Sequence, residues 1–209
     1  MFLLRLGVFV SLGLSLFMLT FLVLHTFSFG KRQLHSKAEA TLWKGVAYAF
    51  SQGMLPWEKE SAAKHLPTYL AGIFYHTGIF AAIFYVLFSA ASFSLSEDIL
   101  SIFRGLLAVG FICGSGLLIK RAIRNQMRYI SCFDDFAANI LVDFFILSGF
   151  LSSLLPAAIP VFFILAILTF LYMPLGKIRH CFFFFYSRVL FGSYFGRRGV
   201  LPRSQPSKN

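Results

Sequence analysis

Two histidines are the residues of this chain best suited to hold a redox cofactor. His76 lies eight residues after Thr68, and His180 lies eight residues before Arg188, each within a long apolar segment. In continuous helices that rise about 1.5 Å per residue, both would lie roughly 12 Å from the same end of their segments. Bis-histidine ligation of a haem inside a helix bundle requires two imidazoles at one depth on neighbouring helices. The spacing therefore favours a haem site, unless the two helices are not neighbours and the histidines only pack or face lipid.

The segments that carry these histidines are typical of a membrane protein. Of the 209 residues 58% are hydrophobic, 18% are aromatic and only 13% are charged, with 28 Phe among them. About a quarter of the residues of a soluble domain are charged, and a disordered chain has far less apolar surface to bury. We therefore expect an all-α membrane protein. Five segments satisfy the span requirement of about 20 residues, over 3–29, 68–92, 100–119, 136–155 and 160–186.

The last of these segments contains basic residues at its polar boundary. Lys177, Arg179 and His180 interrupt it before an apolar stretch resumes. We expect one helix across the boundary, with its basic side chains reaching to the polar surface. A haem would present its propionates at that boundary, and Lys177, Arg179 and Arg188 are suited to bind them through charge-assisted hydrogen bonds. The alternative is that these three residues only fix the topology of the span.

The basic residues indicate the orientation of the spans and not a nucleic-acid partner. The formal net charge is +11, and a basic surface patch is the usual footprint of nucleic acid. Every Lys and Arg except Arg5 and Arg104, however, lies in the loop 30–67, in the connection between the third and fourth spans, or from Lys177 onward. The positive-inside rule then predicts an N-terminus outside and a cytoplasmic C-terminus. We expect no nucleic-acid partner.

The chain is expected to form one transmembrane domain over 1–195, followed by a basic cytoplasmic tail over 196–209. The cytoplasmic loop 30–67 is longer than a connection needs to be. Within it, Leu42 to Phe50 has the pattern of an amphipathic interfacial helix. That helix would rest on the lipid surface or provide a docking surface for a cytoplasmic subunit.

Three stretches resemble the gamma subunit of respiratory nitrate reductase, a membrane cytochrome b with five spans. The sequence Phe-Tyr-His-Thr-Gly-Ile-Phe at 74–80 resembles the second span of that family. Pro-Leu-Gly-Lys-Ile-Arg-His at 174–180 is similar to its last span, in which a proline, a basic residue and a ligand histidine follow in similar spacing. Leu-Ile-Lys-Arg at 118–121, followed by Asp134 or Asp135, resembles its third connection. The number of spans, the orientation and the chain length agree as well.

The resemblance implies one haem where that family has two. Its second ligand pair would fall on Val86 and Phe162, neither of which can ligate iron. His76 and His180 fall on the pair that holds the haem nearer the cytoplasm. The chain then resembles a divergent member that keeps a single haem b, or a remnant with a changed cofactor.

What the resemblance implies for function is electron transfer within a complex. The chain would be one subunit of a hetero-oligomeric oxidoreductase of a respiratory chain, in the cytoplasmic (inner) membrane of a bacterium or archaeon. Electrons would pass between quinone in the bilayer and an iron–sulfur subunit on the cytoplasmic face, with quinone reacting near the cytoplasmic haem. The chain would not be an enzyme alone. The alternative is a haem-free membrane anchor that tethers a peripheral enzyme or binds quinone or lipid without a redox cofactor.

Two further ionisable residues are candidates for a quinone site or a second cofactor. His65 lies eleven residues before His76, three helical turns away on the same face if one helix carries both. It would border the haem, bind a quinone head group, ligate a second cofactor, or simply begin a helix beside Pro67. Asp143 is the acid deepest in an apolar segment, roughly 10 Å into the fourth span. It would pair with a cation such as Lys120 or relay protons to a quinone.

Overall fold

The structure is a computed structural model that describes residues 1–30 and 37–201. For Glu60 and Ser61 it describes the backbone alone. Residues that the sequence analysis assigned to the basic loop and tail, namely Lys31, Arg32, His35, Arg203 and Lys208, lie outside the described residues. In the described ranges the regular structure consists of α-helices and short 3-10 turns, without β-strands.

Nine α-helices form in the described chain: α1 (Phe2–His25), α2 (Leu42–Phe50), α3 (Glu60–Lys64), α4 (Leu66–Ala90), α5 (Glu97–Ile123), α6 (Asn125–Tyr129), α7 (Phe133–Leu154), α8 (Ile159–Tyr172) and α9 (His180–Arg197). Five 3-10 turns lie between them, at Thr26–Phe29, Gln52–Met54, Pro56–Glu58, Pro156–Ala158 and Lys177–Arg179. The amphipathic helix predicted in the long loop is α2, with the predicted bounds.

Four of these helices are long and apolar enough to cross a membrane: α1 with its 3-10 extension, α4, α5 and α7. They contain 22 to 28 residues, so each is about 33–42 Å long, against a hydrocarbon core of about 30 Å. The number of candidate spans rises to five if α8 and α9 are counted together as one broken span. The prediction of an all-α, multi-pass membrane fold is therefore confirmed.

The prediction of one continuous helix over 160–186 is wrong. α8 ends at Tyr172, because Pro174 has no N–H to continue the helical hydrogen bonds. The N–H groups of Leu175 and Gly176 instead donate to the Tyr172 carbonyl, at 3.0 and 2.9 Å. A Cβ at Gly176 would collide with the Tyr172 ring, so this tight turn requires glycine. A separate helix, α9, follows the next 3-10 turn.

The chain divides into two compact units, which are described separately. Unit 1 comprises Met1–Met18 and Pro67–Arg179, and unit 2 comprises Leu19–Leu66 and His180–Asn209. Unit 1 therefore contains α4 to α8 with the first part of α1. Unit 2 contains α2, α3 and α9 with the last part of α1.

The core of unit 1 is a stack of aromatic rings between its helices. Phe162 on α8 lies between Tyr85 on α4, at 5.5 Å between ring centroids, and Phe145 on α7, at 5.4 Å. Both Phe162 and Phe145 are fully buried. Stacked aromatic pairs contribute about 0.5–1.5 kcal/mol each beyond the area that they bury. Glycines bring the backbones together elsewhere, since Gly78 on α4 faces Gly110 on α5.

Arginines bind the ends of neighbouring helices at one end of unit 1. Arg5 on α1 donates to the Ser92 hydroxyl just after α4, at 2.6 Å. Arg104 on α5 donates to the Ser153 carbonyl near the end of α7, at 2.7 Å, and pairs with Glu97. Arg5 and Arg104 are the two arginines predicted to face away from the cytoplasm. Both form their contacts at the same end of unit 1. Which end faces the cytoplasm stays a prediction from the distribution of charges.

Unit 2 is built on a close contact between α2 and α9. Gly45 on α2 lies against Gly192 and Gly196 on α9, and a Cβ at Gly192 would lie 2.5 Å from the Cα of Val46. The Gly-x-x-x-Gly spacing of α9 removes the side chains that would hold the two backbones apart. α9 ends where Gly199 adopts a φ of +69°, a left-handed conformation that glycine accepts without strain.

The contact between α4 and α5 can be tested by adding one methyl group. In Gly110→Ala the new Cβ would lie 2.6 Å from the Cα of Gly78, so we expect the free energy of unfolding to fall by roughly 1–3 kcal/mol. Gly105→Ala on the same helix is the matched control, because no neighbour in the described chain lies within 4 Å of its Cβ position. Unfolding in detergent, followed by circular dichroism, measures both variants. Equal stability of the two would contradict this packing.

Candidate functional site

His76 lies in the third turn of α4, in unit 1, with its ring fixed by the helix backbone. Its Nδ1 lies 2.7 Å from the carbonyl oxygen of Gly72. Because a carbonyl only accepts hydrogen bonds, Nδ1 carries the proton, and Nε2 of the neutral ring then carries the lone pair. The imidazole is exposed on the described chain and contacts the Tyr75 ring at 6.1 Å. This is the tautomer in which a histidine ligates iron through Nε2.

His180 is the first residue of α9, in unit 2, and its side chain is exposed. The eight residues from His180 to Arg188 all lie in α9, but α9 does not continue α8, so a distance along it is not a depth along one spanning helix over 160–186. The agreement in depth with His76 therefore no longer follows from helical rise. The pairing of the two histidines stays a prediction.

His65 does not share a helix with His76. It follows α3 with φ −128° and ψ 44°, and its N–H donates to the Ala62 carbonyl at 3.2 Å. α4 begins at the next residue, Leu66, so the argument that places both histidines on one helical face is wrong. His65 is an exposed residue of unit 2.

The acidic start of α7 binds the turn that follows α8. Asp134 accepts a hydrogen bond from the backbone N–H of Lys177 at 2.8 Å and another from the Tyr172 hydroxyl. Asp135 pairs with the Lys177 ammonium at 2.6 Å and with Arg121 of α5 at 3.3 Å. These two aspartates, called here the acidic anchor, join α5, α7 and the end of α8. Lys177, predicted to bind a propionate, is thus bonded within the protein.

The other two basic residues lie in different units. Arg179 is exposed in the same 3-10 turn as Lys177, in unit 1. Arg188 lies on α9 in unit 2, with its guanidinium carbon 5.5 Å from the centroid of the Phe184 ring. Partial burial, and then the charge of Arg188, lower the pKa of Lys59 from its usual value.

Asp143 is buried in unit 1 among polar groups that the sequence analysis did not identify. The Asn139 amide donates to Oδ2 of Asp143 at 3.2 Å and to the Tyr75 hydroxyl at 3.1 Å. Oδ1 has no hydrogen-bond partner among the described residues, and the residue is 5% exposed. Lys120 does not pair with it, because its ammonium donates to the hydroxyl of Thr68. The predicted alternative of an Asp143–Lys120 pair is therefore wrong.

Val86 and Phe162 are packed in the aromatic core of unit 1. Both side chains are fully buried, and they belong to one hydrophobic cluster with Phe145 and Tyr85. These are the two positions at which the resemblance expects ligands of a second haem. Buried apolar side chains occupy both positions.

Tyr75 and Asn139 were not predicted as site residues. Asp134 entered the predictions only through the resemblance of the connection between the third and fourth spans. The sequence contained one signal, because Asn139 precedes Asp143 by four residues and would share its helical face. Tyr75 comes from another helix and had no such signal.

Comparisons with known protein families, curated proteins and solved structures find no match for this chain. The resemblance of 74–80 and 174–180 to a nitrate reductase gamma subunit therefore stays a prediction.

The acidic anchor can be tested by neutralising one of its carboxylates. Asp135→Asn would remove two charge-assisted bonds from a side chain that is only 15% exposed, so we expect a loss of about 1.5–3 kcal/mol of stability. The control is Glu97→Gln, which breaks a similar pair with Arg104 in which the carboxylate is 81% exposed; its cost should stay within about 1 kcal/mol. Thermal unfolding of both variants at low and high salt measures the difference. Equal losses would show that the anchor contributes no more than a surface ion pair.

Proposed function

We propose that this chain is the haem b-containing membrane subunit of a multi-subunit redox complex. In this proposal electrons pass between the quinone pool and an iron–sulfur subunit on the cytoplasmic side of a bacterial or archaeal inner membrane. The observation that carries it is the hydrogen bond between Nδ1 of His76 and the Gly72 carbonyl, because that bond leaves Nε2 as the ligating atom.

The residues around His76 would suit a histidine that holds a haem. The Gly72 carbonyl fixes both the tautomer and the plane of the ring, and a hydrogen bond at Nδ1 increases the basicity of Nε2. α4 supplies both groups from consecutive turns, so the orientation does not depend on a loop. When bound, a haem supplies one-electron chemistry, and the ligands and their surroundings set its potential.

His180 is the second ligand in this proposal, on the strength of the sequence resemblance. The packing of Val86 and Phe162 supports a single haem, since a second one would have to displace buried core side chains. Lys177 is already bonded to the acidic anchor, so we assign the propionates first to Arg179 and Arg188. Their guanidinium groups bind carboxylates bidentately.

The favoured alternative is a haem-free membrane anchor of a peripheral enzyme. The observation in its favour is that both histidine side chains, His76 and His180, are exposed on the described chain. A surface histidine on an apolar helix is equally suited to contact lipid or another subunit. The two functions differ in cofactor content, which a spectrum measures directly.

The haem content of the assembled complex tests the proposal. We expect a reduced-minus-oxidised spectrum of a b-type cytochrome and, by pyridine haemochrome titration, about one haem per chain. His76→Ala and His180→Ala should each abolish it, because one remaining imidazole holds haem b poorly. His25→Ala is the control, since His25 packs between Phe21 and Phe29 on its own segment and should leave the spectrum unchanged.

Other haem contents would change the conclusion. A folded, fully assembled complex without haem would contradict the proposal and favour the anchor. Two haems per chain would mean that His65 or His25 is a ligand.

Quinone turnover tests whether the haem is on the electron path. In the assembled complex, His76→Ala should abolish electron transfer between quinol and the iron–sulfur subunit while leaving the subunit composition intact. The reason is that quinone is proposed to react near the haem of His76. Assaying quinone-linked activity beside the activity with a soluble dye separates the two effects. Retained quinone activity in this variant would rule out the proposed path.

A further inference from the structure

A carboxyl group lies at the middle of unit 1 without a counter-ion. Asp143 is ten residues from the start of α7 and eleven from its end, so it lies about 15 Å along the helix from either end. Tyr75 on α4 and Gly114 on α5 are each nine residues from the helix end on the same side, at a similar depth. Oδ1 of Asp143 and the Tyr75 ring both lie against Gly114. Three helices thus enclose the carboxyl group at one level.

The cations of the surrounding helices are bonded elsewhere. α4, α7 and α8 contain no Lys or Arg. On α5, Arg104 binds Ser153 and Glu97, Lys120 binds Thr68, and Arg121 binds Asp135 and Ser131, while Arg5 on α1 binds Ser92.

The other titratable groups on these helices supply no positive charge to Asp143. Tyr75 is neutral and shares the Asn139 amide with Asp143. Cys113 of α5 is a free cysteine, and Tyr172 of α8 donates to Asp134. His76 of α4 is bonded through Nδ1 to its own helix.

The ionised form of Asp143 would be costly at this position. It would be a buried charge whose described hydrogen-bond donors, the Asn139 amide and the Tyr75 hydroxyl, are both neutral, and Oδ1 has no geometrically aligned donor among the described residues. Uncompensated charges are strongly disfavoured in an apolar interior, and a buried carboxyl group takes up a proton instead. The neutral acid keeps Oδ2 as the acceptor for Asn139 and removes the buried charge.

We propose that Asp143, with Tyr75 and Asn139, forms a buried proton-binding site in unit 1, occupied by a proton at neutral pH. The ligand of this site is the proton itself. The site requires neither His76 nor His180, so it stands or falls separately from the proposed haem.

A hydrophobic carbodiimide distinguishes the two states of this carboxyl group. A carboxylic acid adds across one C=N bond of dicyclohexylcarbodiimide, with its oxygen bonding to carbon and its proton passing to nitrogen. The acyl group of the resulting O-acylisourea then migrates from oxygen to nitrogen and gives a stable N-acylurea. Nothing leaves, so the peptide gains the mass of one carbodiimide.

We expect the full chain, labelled in its native membrane at pH 7, to yield this adduct on the peptide that contains Asp143. Labelling should decrease as the pH is raised, because the carbodiimide reacts with the protonated form. Asp143→Asn should abolish the adduct, since an amide does not react in this way. Asp98→Asn is the control, because Asp98 is exposed at the start of α5 and its loss should leave the labelling of Asp143 unchanged.

A second measurement covers the case in which the reagent does not reach the site. The infrared difference between the wild-type chain and Asp143→Asn at pH 7 should contain the C=O stretching band of a protonated carboxyl group, which an ionised carboxylate lacks. Absence of both the adduct and this band would overturn the proposal. Suppression of the labelling by sodium ions at constant pH would overturn it in favour of a metal-cation site.

Discussion

The hydrocarbon of a membrane offers no hydrogen-bonding partner to a peptide group, and the structure of this chain depends on that constraint. The spanning helices satisfy it internally. The constraint is hardest to satisfy where α8 ends, because Pro174 has no N–H and interrupts the helical hydrogen bonds. There the Tyr172 carbonyl accepts the bonds of two following N–H groups, and Asp134 accepts that of Lys177. The acidic anchor is thus both an ionic contact between helices and a hydrogen-bond acceptor for the backbone after α8.

Side-chain size determines how the helices of unit 1 approach each other. Where two glycines meet, as at Gly78 and Gly110, α4 and α5 come into backbone contact. Where rings meet, as at Phe145 and Phe162, the helices are separated by stacked aromatic side chains. In lipid the hydrophobic effect contributes little to helix association, so this close packing carries much of the stability. In unit 2, glycines likewise allow the backbones of α2 and α9 to come into contact.

Hydropathy predicted most of the spanning helices because it depends only on local composition. Hydropathy predicts α1, α4, α5 and α7 with bounds within four residues of the observed ones, and α2 follows from an amphipathic pattern. Two of the errors have one source, the assumption that a helix continues through an ambiguous boundary. That assumption merged α8 with α9 and placed His65 on α4. The contacts of Asp143 were beyond prediction for a different reason, since Tyr75 lies 68 positions away and only the fold brings it to Asn139.

The acidic anchor also constrains the order in which this protein can assemble. A ribosome makes α7 before α8, so Asp134 and Asp135 emerge about 40 residues ahead of the lysine that completes their contacts. During that interval Arg121, made earlier, is the cation already available to Asp135. The ionic contact between α7 and the turn beyond Tyr172 therefore forms only after that turn has been synthesised. Truncated nascent chains that stop before this turn would lack the contact between the start of α7 and the segment that follows α8.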